Sequence, residues 1–376
     1  MILSEEQQMI RQSARKFAQE RLAPNSARWE EEARFPREII AEMGALGFMG
    51  MTVPVEWGGA GADNVAYSLA LQEIAAGDGA LATVVSGHNS VGVMPILNYG
   101  TEAQKERWVR DLATGTKFAA FALTEPQGGS DAASIRTRAT RKGDSYVLSG
   151  TKQFITSGAT ADVTLVIAVT DPDAGKRGIS AFLVDTKAPG YQVARIEKKM
   201  GQNASDTCEI RLDDVVVGAE DRLGEEGQGY RIALANLEGG RIGIASQCVG
   251  MARAALEIAV RYAHERRAFG KAIFEHQAVS FRLADMATSL EAAHQLTLHA
   301  AALKDARQQC LTEASMAKLF ASEAAERICS DALQTLGGAG YIQDFGVERI
   351  CRGVRGAKIY EGTNDIQRLV ISRSLV

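Results

Sequence analysis

VGMARAALEIAV, residues 249–260, sets Val249, Ala252, Leu256 and Val260 on one stripe at the helical period. A second stripe follows at Met316, Phe320, Ala324 and Ile328. All seven prolines fall at or before Pro189. An interior proline costs a helix about 3 kcal/mol, so a proline-free half is what long uninterrupted helices require. Residues 229–376 therefore read as a bundle of long helices. Upstream, between about Lys117 and Val217, the pattern changes to short runs rich in Val, Ile, Phe and Thr, such as Val163 to Val169 and Ile179 to Val184. Gly, Asp and Pro clusters separate them, which predicts a small antiparallel β domain over 116–228. Residues 1–115 are helical again: Ser4–Gln7 and Thr101–Gln104 each match a capping box, Pro36 suits a first helical turn, and Ile10, Ala14 and Phe17 share a face.

Helix, then β, then helix is an α+β order and argues against a doubly wound sheet. Neither GGAGAD near Gly59 nor GGAGY near Gly338 fits G-x-G-x-x-G after a strand. No P-loop, H-E-x-x-H or G-x-S-x-G is present, and the five histidines form no pair with metal-ligand spacing, so no metal site is expected.

A chain of 376 residues that is 46% hydrophobic and 23% charged has the balance of a globular protein with a large core. Its net charge of −4 is too close to neutral for a phosphate-backbone partner, which excludes nucleic acid. The start, MILSEEQQMIRQSARKF, has no basic segment followed by an apolar region, and no window reads as roughly 18 uncharged apolar residues. A cytoplasmic protein with no membrane partner is the expectation. The cysteines (Cys208, Cys248, Cys310, Cys329, Cys351) are odd in number and include no Cys-x-x-Cys, so neither disulfides nor structural zinc is suggested.

Two segments stand out for chemistry. ALTEPQGGSDAAS (Ala122 to Ser134) ends a strand in a Gly-rich loop with several N–H groups and hydroxyls, a surface able to approach a ring or phosphate, although alone it reads as a turn. KIYEGTNDIQ (residues 358–367) places one carboxylate, Glu361, just before a short C-terminal helix that Asn364 or Thr363 could cap. A lone glutamate there is ordinarily solvated.

Taken together, the chain resembles the acyl-CoA dehydrogenase flavoproteins nearly end to end. The resemblance is carried by ALTEPQGGSDAAS, QTLGGAGYIQDFGVER (Gln334 to Arg349) and YEGT (Tyr360 to Thr363). KQFITSG (Lys152 to Gly158), GGRIGIASQCVG (Gly239 to Gly250), ERRAFG (Glu265 to Gly270) and EHQ (Glu275 to Gln277) lie between them in the family's order. It implies a helical N-terminal domain, a β domain and a C-terminal four-helix bundle, with FAD shared between neighbouring subunits of a homotetramer built as two dimers. Phe121, Leu123 and Thr124 then border the isoalloxazine, Ser130 closes the loop toward flavin and thioester, and Phe154, Ile155 and Thr156 cover the other edge. A flavin needs flat apolar cover and hydrogen bonds along its pyrimidine edge. Arg266, Phe269, Gln277, Gln334, Gly337 and Gly338 match positions on the dinucleotide, as do Thr363, Asn364 and Asp365. By itself ERRAFG reads as an exposed basic helix end.

In the same resemblance Glu361 is the catalytic base that removes the α-proton of an acyl-CoA thioester. The β-hydrogen leaves as hydride to flavin N5, and electrons pass on to an electron-transfer flavoprotein. Ser130, Glu238, Arg241 and Gly362 belong to the substrate side, Arg241 reading equally well as a helix-surface cation. Three positions depart from the pattern: Phe154 replaces a frequent Trp, Asn203 a frequent Arg, and Gly353 an acidic residue, which implies a missing ion pair beside Arg349 or Arg352. Oxidases and monooxygenases on this scaffold commonly lack the base carboxylate, and nucleic-acid-binding relatives carry an added basic C-terminal region, whereas this chain ends at Val376. The base position in YEGT, with Gly240 at the alternative position, points to straight-chain substrates. The helix expected to line the acyl pocket, Ala80 through Tyr99, holds no Arg or Lys and only His88, which argues against a dicarboxylic substrate.

Overall fold

Ser4 opens α1 (Glu5–Phe17) through a reciprocal capping box with Gln7 in the computed structural model, which describes residues 1–375. A π turn at residues 18–22 carries the chain into α2 (Ala23–Glu32), and Pro36 stands at the cap position of α3 (Arg37–Ala45), one residue before its first turn. Asp63 caps α4 (Asn64–Gly77). After it, α5 (Gly79–Gly87), a π turn at 88–93 and α6 (Met94–Tyr99) make one continuous rod, and the Thr101–Gln104 box starts α7 (Glu102–Ala113).

The sheet contains β1 (Ala119–Ala122), β2 (Arg138–Lys142), β3 (Ser145–Thr156), β4 (Val163–Val169), β5 (Ile179–Asp185), β6 (Tyr191–Ile196), β7 (Thr207–Gly218) and β8 (Arg222–Leu223). Their order is β6-β7-β3-β2-β4-β5-β8, with β1 beside β4. Hairpin neighbours pair antiparallel, as expected. β1 instead runs parallel to β4, Phe121 opposite Leu165, because it enters from α7 and returns to β4 through two intervening strands and not a tight turn. β4 and β5 are buried almost throughout, which explains their unbroken apolar runs.

The C-terminal part begins with α8 (Gly229–Glu265). A small hairpin, β9 (Arg267–Ala268) and β10 (Lys271–Ala272), turns the chain into α9 (Gln277–Asp305) and then α10 (Leu311–Leu336). α11 (Gly338–Tyr341), α12 (Val347–Arg355) and α13 (Asn364–Arg373) finish the bundle. α8 runs through the middle of the molecule and packs on α10, α4 and α9. Val249, Ala252 and Leu256 are buried, and Val260 packs at the margin. The second stripe is partly corrected: Ala324 and Ile328 are buried, but Met316 and Phe320 are 37% and 36% exposed. α10 instead presents Ala314, Ala317, Ala321 and Ala325 to the core, small residues that let it lie close against α8.

Two helices, Gly79–Tyr99 and Gly229–Glu265, are long and apolar enough to cross a membrane by length and composition, contrary to expectation. Both are mostly buried within the protein, so their apolar surface serves its core.

Candidate active site

Glu361 lies at φ 55, a left-handed conformation uncommon for a residue with a side chain, and Gly362 follows at φ 83. The chain turns sharply there before Thr363, whose hydroxyl accepts from Ile366 N at 3.3 Å and caps α13. The turn sends the Glu361 side chain onto α8. A Cβ added to Gly240 would lie 2.7 Å from Oε2 and 3.1 Å from Oε1. Oε2 is enclosed without a hydrogen-bond partner. Burial pushes the Glu361 carboxyl up to about 7, against the pull of Arg241 and then Lys318. This is no solvated glutamate.

Arg241 is no surface cation either. It is buried, its Nη1 donates to Ser315 Oγ at 3.2 Å, and its Nε meets no acceptor among the described residues. Burial lowers its pKa, opposed by Glu361 and Glu238. The Tyr67 hydroxyl, from α4, is also buried and unpartnered, and burial raises its pKa with the Glu361 charge adding to the effect. Buried, unpaired polar atoms of α4, α8 and the base segment thus lie near enough to bias one another's ionisation.

A polar frame holds the base segment from behind. Tyr360 Oη donates to Gln247 Oε1 at 2.9 Å and accepts from Gln202 Nε2 at 3.1 Å, while Gln247 Nε2 donates to Gly79 O at 2.7 Å. Lys318 Nζ donates to Gly362 O at 2.8 Å and to Asn364 Oδ1 at 2.9 Å. The Asn364 side chain, assigned to the dinucleotide by resemblance, is therefore enclosed and engaged within this frame.

Beside Gly240 a cavity of about 80 Å³ opens between α4, the rod of residues 79–99, α8 and α9, with Tyr67, Ser90, Gly239, Ile242 and Lys304 in its wall. The expectation that His88 is the only candidate cation is corrected by Lys304, which lies outside the rod. It enters from α9, but it is already engaged: its Nζ lies 3.3 Å from Glu238 Oε1, the oxygen that also accepts from Cys310 Sγ at 3.3 Å. His88 is structural. It is buried, stacks on Phe118 at 4.6 Å, lies 2.9 Å from Leu112 O and accepts from Ala119 N at 3.2 Å; burial takes its pKa down to about 4.

The loop after β1 is braced by a buried ion pair. Lys152 Nζ donates to Glu125 Oε1 at 2.8 Å and to Leu123 O at 3.0 Å, and Glu125 also accepts from Arg136 N at 2.6 Å and Thr137 N at 2.9 Å. Burial opposes ionisation of Glu125, yet Lys152 and the amide donors bring its carboxyl down to about 2. Gln153 N donates to Thr124 O at 2.9 Å, so ALTE and KQFIT lie side by side. Around this seam Leu123 and Ile155 are buried, Phe121, Thr124 and Thr156 are partly so, and Ser130 is exposed at the loop tip. Phe154 is 59% exposed at φ 59, a ring presented outward by a strained backbone.

Arg266, Phe269, Gln277, Gln334, Gly337 and Gly338 are all exposed, the first three around the α8–α9 corner and the others at the end of α10. No atom lies within 4 Å of a Cβ built on Gly337 or Gly338. An outward ring, open glycine backbone and guanidinium groups fit a flavin dinucleotide, which needs flat cover and close approach at its phosphates. Asp365 is exposed on the first turn of α13, with Arg368 Nη1 at 3.6 Å.

The departures from the family pattern find local explanations. Arg352 keeps ion pairs, to Glu348 at 2.7 Å and Glu30 at 2.8 Å, despite Gly353, so that expectation fails for Arg352. Arg349 Nη1 is the buried, unpartnered one. Asn203 joins the same cluster, donating its N to Glu30 Oε2 at 2.6 Å and its Nδ2 to Glu30 Oε1 at 3.0 Å.

The known proteins that this chain resembles agree with the geometry. Family models described as acyl-CoA dehydrogenase N-terminal, middle and C-terminal domains match residues 4–116, 120–215 and 227–376. A Bacillus subtilis protein named acyl-CoA dehydrogenase is 48% identical over 376 residues, covering 100% of this chain and 99% of its own length. The caffeyl-CoA reductase-Etf complex subunit CarC of Acetobacterium woodii is 44% identical, with 100% of both chains covered. The solved structure of butyryl-CoA dehydrogenase from Megasphaera elsdenii matches with a TM-score of 0.98 at 40% identity, covering 100% of this chain and 99% of that one. With three domains in the family's order and the Glu361 carboxylate enclosed within YEGT, the chain belongs to the acyl-CoA dehydrogenase family and is an oxidoreductase acting on acyl-CoA.

Proposed function

We propose that the protein binds FAD and converts a short, straight-chain acyl-CoA into its trans-2-enoyl-CoA, with Glu361 removing the α-proton. The enclosed Glu361 carboxylate carries this reading: it has one unpartnered oxygen and a pKa pushed up to about 7. A base poised near 7 is partly ionised at neutral pH and strong enough to engage a weak carbon acid. Charge developing on the thioester oxygen needs donors, and the Glu361 N–H meets no acceptor among the described residues. The Arg241 charge favours the ionised carboxylate.

Phe121, Thr124, Ser130, Phe154 and Thr156 would hold the flavin ring, and Arg266, Gln277, Gln334 and the Gly337–Gly338 backbone the dinucleotide of a neighbouring subunit. When bound, the flavin supplies the two-electron acceptor for the β-hydride. The small cavity beside Gly240, partly polar in its wall, supports a short acyl group, as does the likeness to butyryl-CoA dehydrogenase. Exposed Phe269 in the β9–β10 turn, Phe281 on α9 and Tyr341 on α11, 95%, 63% and 90% accessible, support assembly into a homotetramer. The Etf-complex relative supports an electron-transfer flavoprotein as acceptor.

The experiment is to identify the flavin released on denaturation, determine the mass by sedimentation, and follow anaerobic bleaching with straight-chain acyl-CoAs of increasing length. FAD at one per subunit in a tetramer, bleached fastest by short chains, is expected. FMN, or an FAD-loaded species that no acyl-CoA bleaches, would overturn the proposal.

A further inference from the structure

We propose that Lys318 is a positioning residue for the base: its ammonium, seated between the Gly362 carbonyl and the Asn364 side chain, fixes the turn at Glu361 and holds the carboxylate ionised against Gly240. This rests on the reading of Glu361 as the base. Lys318 comes from α10, where it interrupts the alanine face formed by Ala314, Ala317, Ala321 and Ala325, and it has no exposed surface. Burying an ammonium is expensive unless something compensates its charge.

The compensation is unusual. Among the described residues no carboxylate lies within ion-pair distance of Lys318; its hydrogen bonds go to two neutral oxygens, Gly362 O at 2.8 Å and Asn364 Oδ1 at 2.9 Å. Gln367 Nε2 already donates to Gly362 O at 2.9 Å and to Glu361 O at 3.2 Å, so the turn has a neutral clamp as well. What the lysine adds is a positive charge one residue from a carboxylate whose enclosed Oε2 has no partner.

Glu361 has few charged neighbours. Arg241 from α8 and Lys318 from α10 both favour its ionised form. Tyr67 from α4 has its pKa raised by burial, and Cys248 from α8, beside Lys318, is pushed up to about 12, so both stay neutral near pH 7. Burial takes Lys318 itself down to about 8, leaving it charged where Glu361 titrates. Arg241 is tied to Ser315 on the substrate side, whereas Lys318 grips the backbone of the turn. Lys318 thus couples the left-handed geometry of Glu361 to the field that keeps it a base.

The test compares Lys318→Met with the wild type in the FAD-loaded protein. It records FAD content, thermal stability and an infrared titration of Glu361, whose protonated-carboxyl band is assigned by its loss in Glu361→Gln. Lys318→Met is expected to move this titration upward by about one pH unit or more. It should also slow anaerobic flavin reduction at pH 7 by about tenfold, with KM changed by less than about threefold. Raising the pH should restore part of the rate. An unmoved titration overturns the proposal, whether the rate is unchanged or falls together with FAD content and stability, as a purely structural lysine would have it. If Lys318→Met yields no folded protein, Asn364→Asp decides, because it keeps the acceptor and sets a neutralising carboxylate against the ammonium. It should also move the Glu361 titration upward, and no movement overturns the proposal. Failure of the underlying reading is distinct: Glu361→Gln would then reduce flavin at the wild-type rate, however Lys318→Met behaves.

Discussion

The Glu361 carboxylate occupies the space in which a side chain on Gly240 would begin, with Oε2 2.7 Å and Cδ 2.9 Å from a Cβ built there. Glycine is thus required inside α8 by contact and not by backbone conformation. In an ordinary helix interior, Gly→Ala gains about 1 kcal/mol. Here Gly240→Ala should displace the carboxylate, retaining FAD while slowing anaerobic bleaching by at least about tenfold. Stopped-flow absorbance of the two proteins checks this, and an unchanged rate would mean that the carboxylate does not work from this position.

Glu361→Gln should stabilise the protein, and more so at higher pH. Folding raises the Glu361 pKa from 4.5 to about 7. The folded state therefore binds the proton more tightly, and stability falls as pH rises between those values and then levels off. Glutamine removes the penalty, a gain on the order of 3 kcal/mol above pH 7 that shrinks toward zero near pH 4.5. Melting curves of the FAD-loaded proteins at pH 5.5 and 8 should show the difference widening with pH; an equal difference at both would contradict the account.

Lys152→Met should cost far more than its distance from Glu361 suggests. It leaves Glu125 buried and unpaired beneath the loop that carries Thr124 and Ser130, a loss of about 3–5 kcal/mol. Reduced FAD content and a lower melting temperature are expected, with the double variant Lys152→Met/Glu125→Gln recovering part of both. A double variant no better than the single one would show that the pair does not act as a unit.

The helix–β–helix order, both capping boxes and the α8 stripe could be read from the sequence because local periodicity and end signals decide them. The parallel pairing of β1 with β4 could not, since it depends on where a long connection returns. At the site, YEGT and ALTEPQGG were legible as segments, but not the burial of Glu361 and Arg241, which arises where α8 meets α10 and the base segment. Lys318 left a signal, one lysine in the alanine face of α10, whereas Lys152 sits at a buried position of the half-buried β3, which nothing in its neighbours marks. Each makes sense only with its partner, 44 residues away for Gly362 and 27 for Glu125.

Glutaryl-CoA should bind poorly and release no carbon dioxide. The one lysine in the cavity wall, Lys304, is engaged by Glu238, so a distal carboxylate entering there would meet a cation already neutralised. Trapping of labelled carbon dioxide checks this, and measurable release would show that the Glu238–Lys304 pair opens to admit a second carboxylate.

The most direct test of the central claim is anaerobic bleaching of the bound flavin by a saturating short straight-chain acyl-CoA, in wild type and in Glu361→Gln, across pH. In the wild type the rate should rise as pH increases through about 7, following ionisation of Glu361. Glu361→Gln should keep its FAD and its thioester affinity but bleach on the order of 10²- to 10⁴-fold more slowly, with no rise near pH 7. A variant that holds FAD and bleaches within about threefold of wild type would contradict the account, and Glu238 would be the next carboxylate to test.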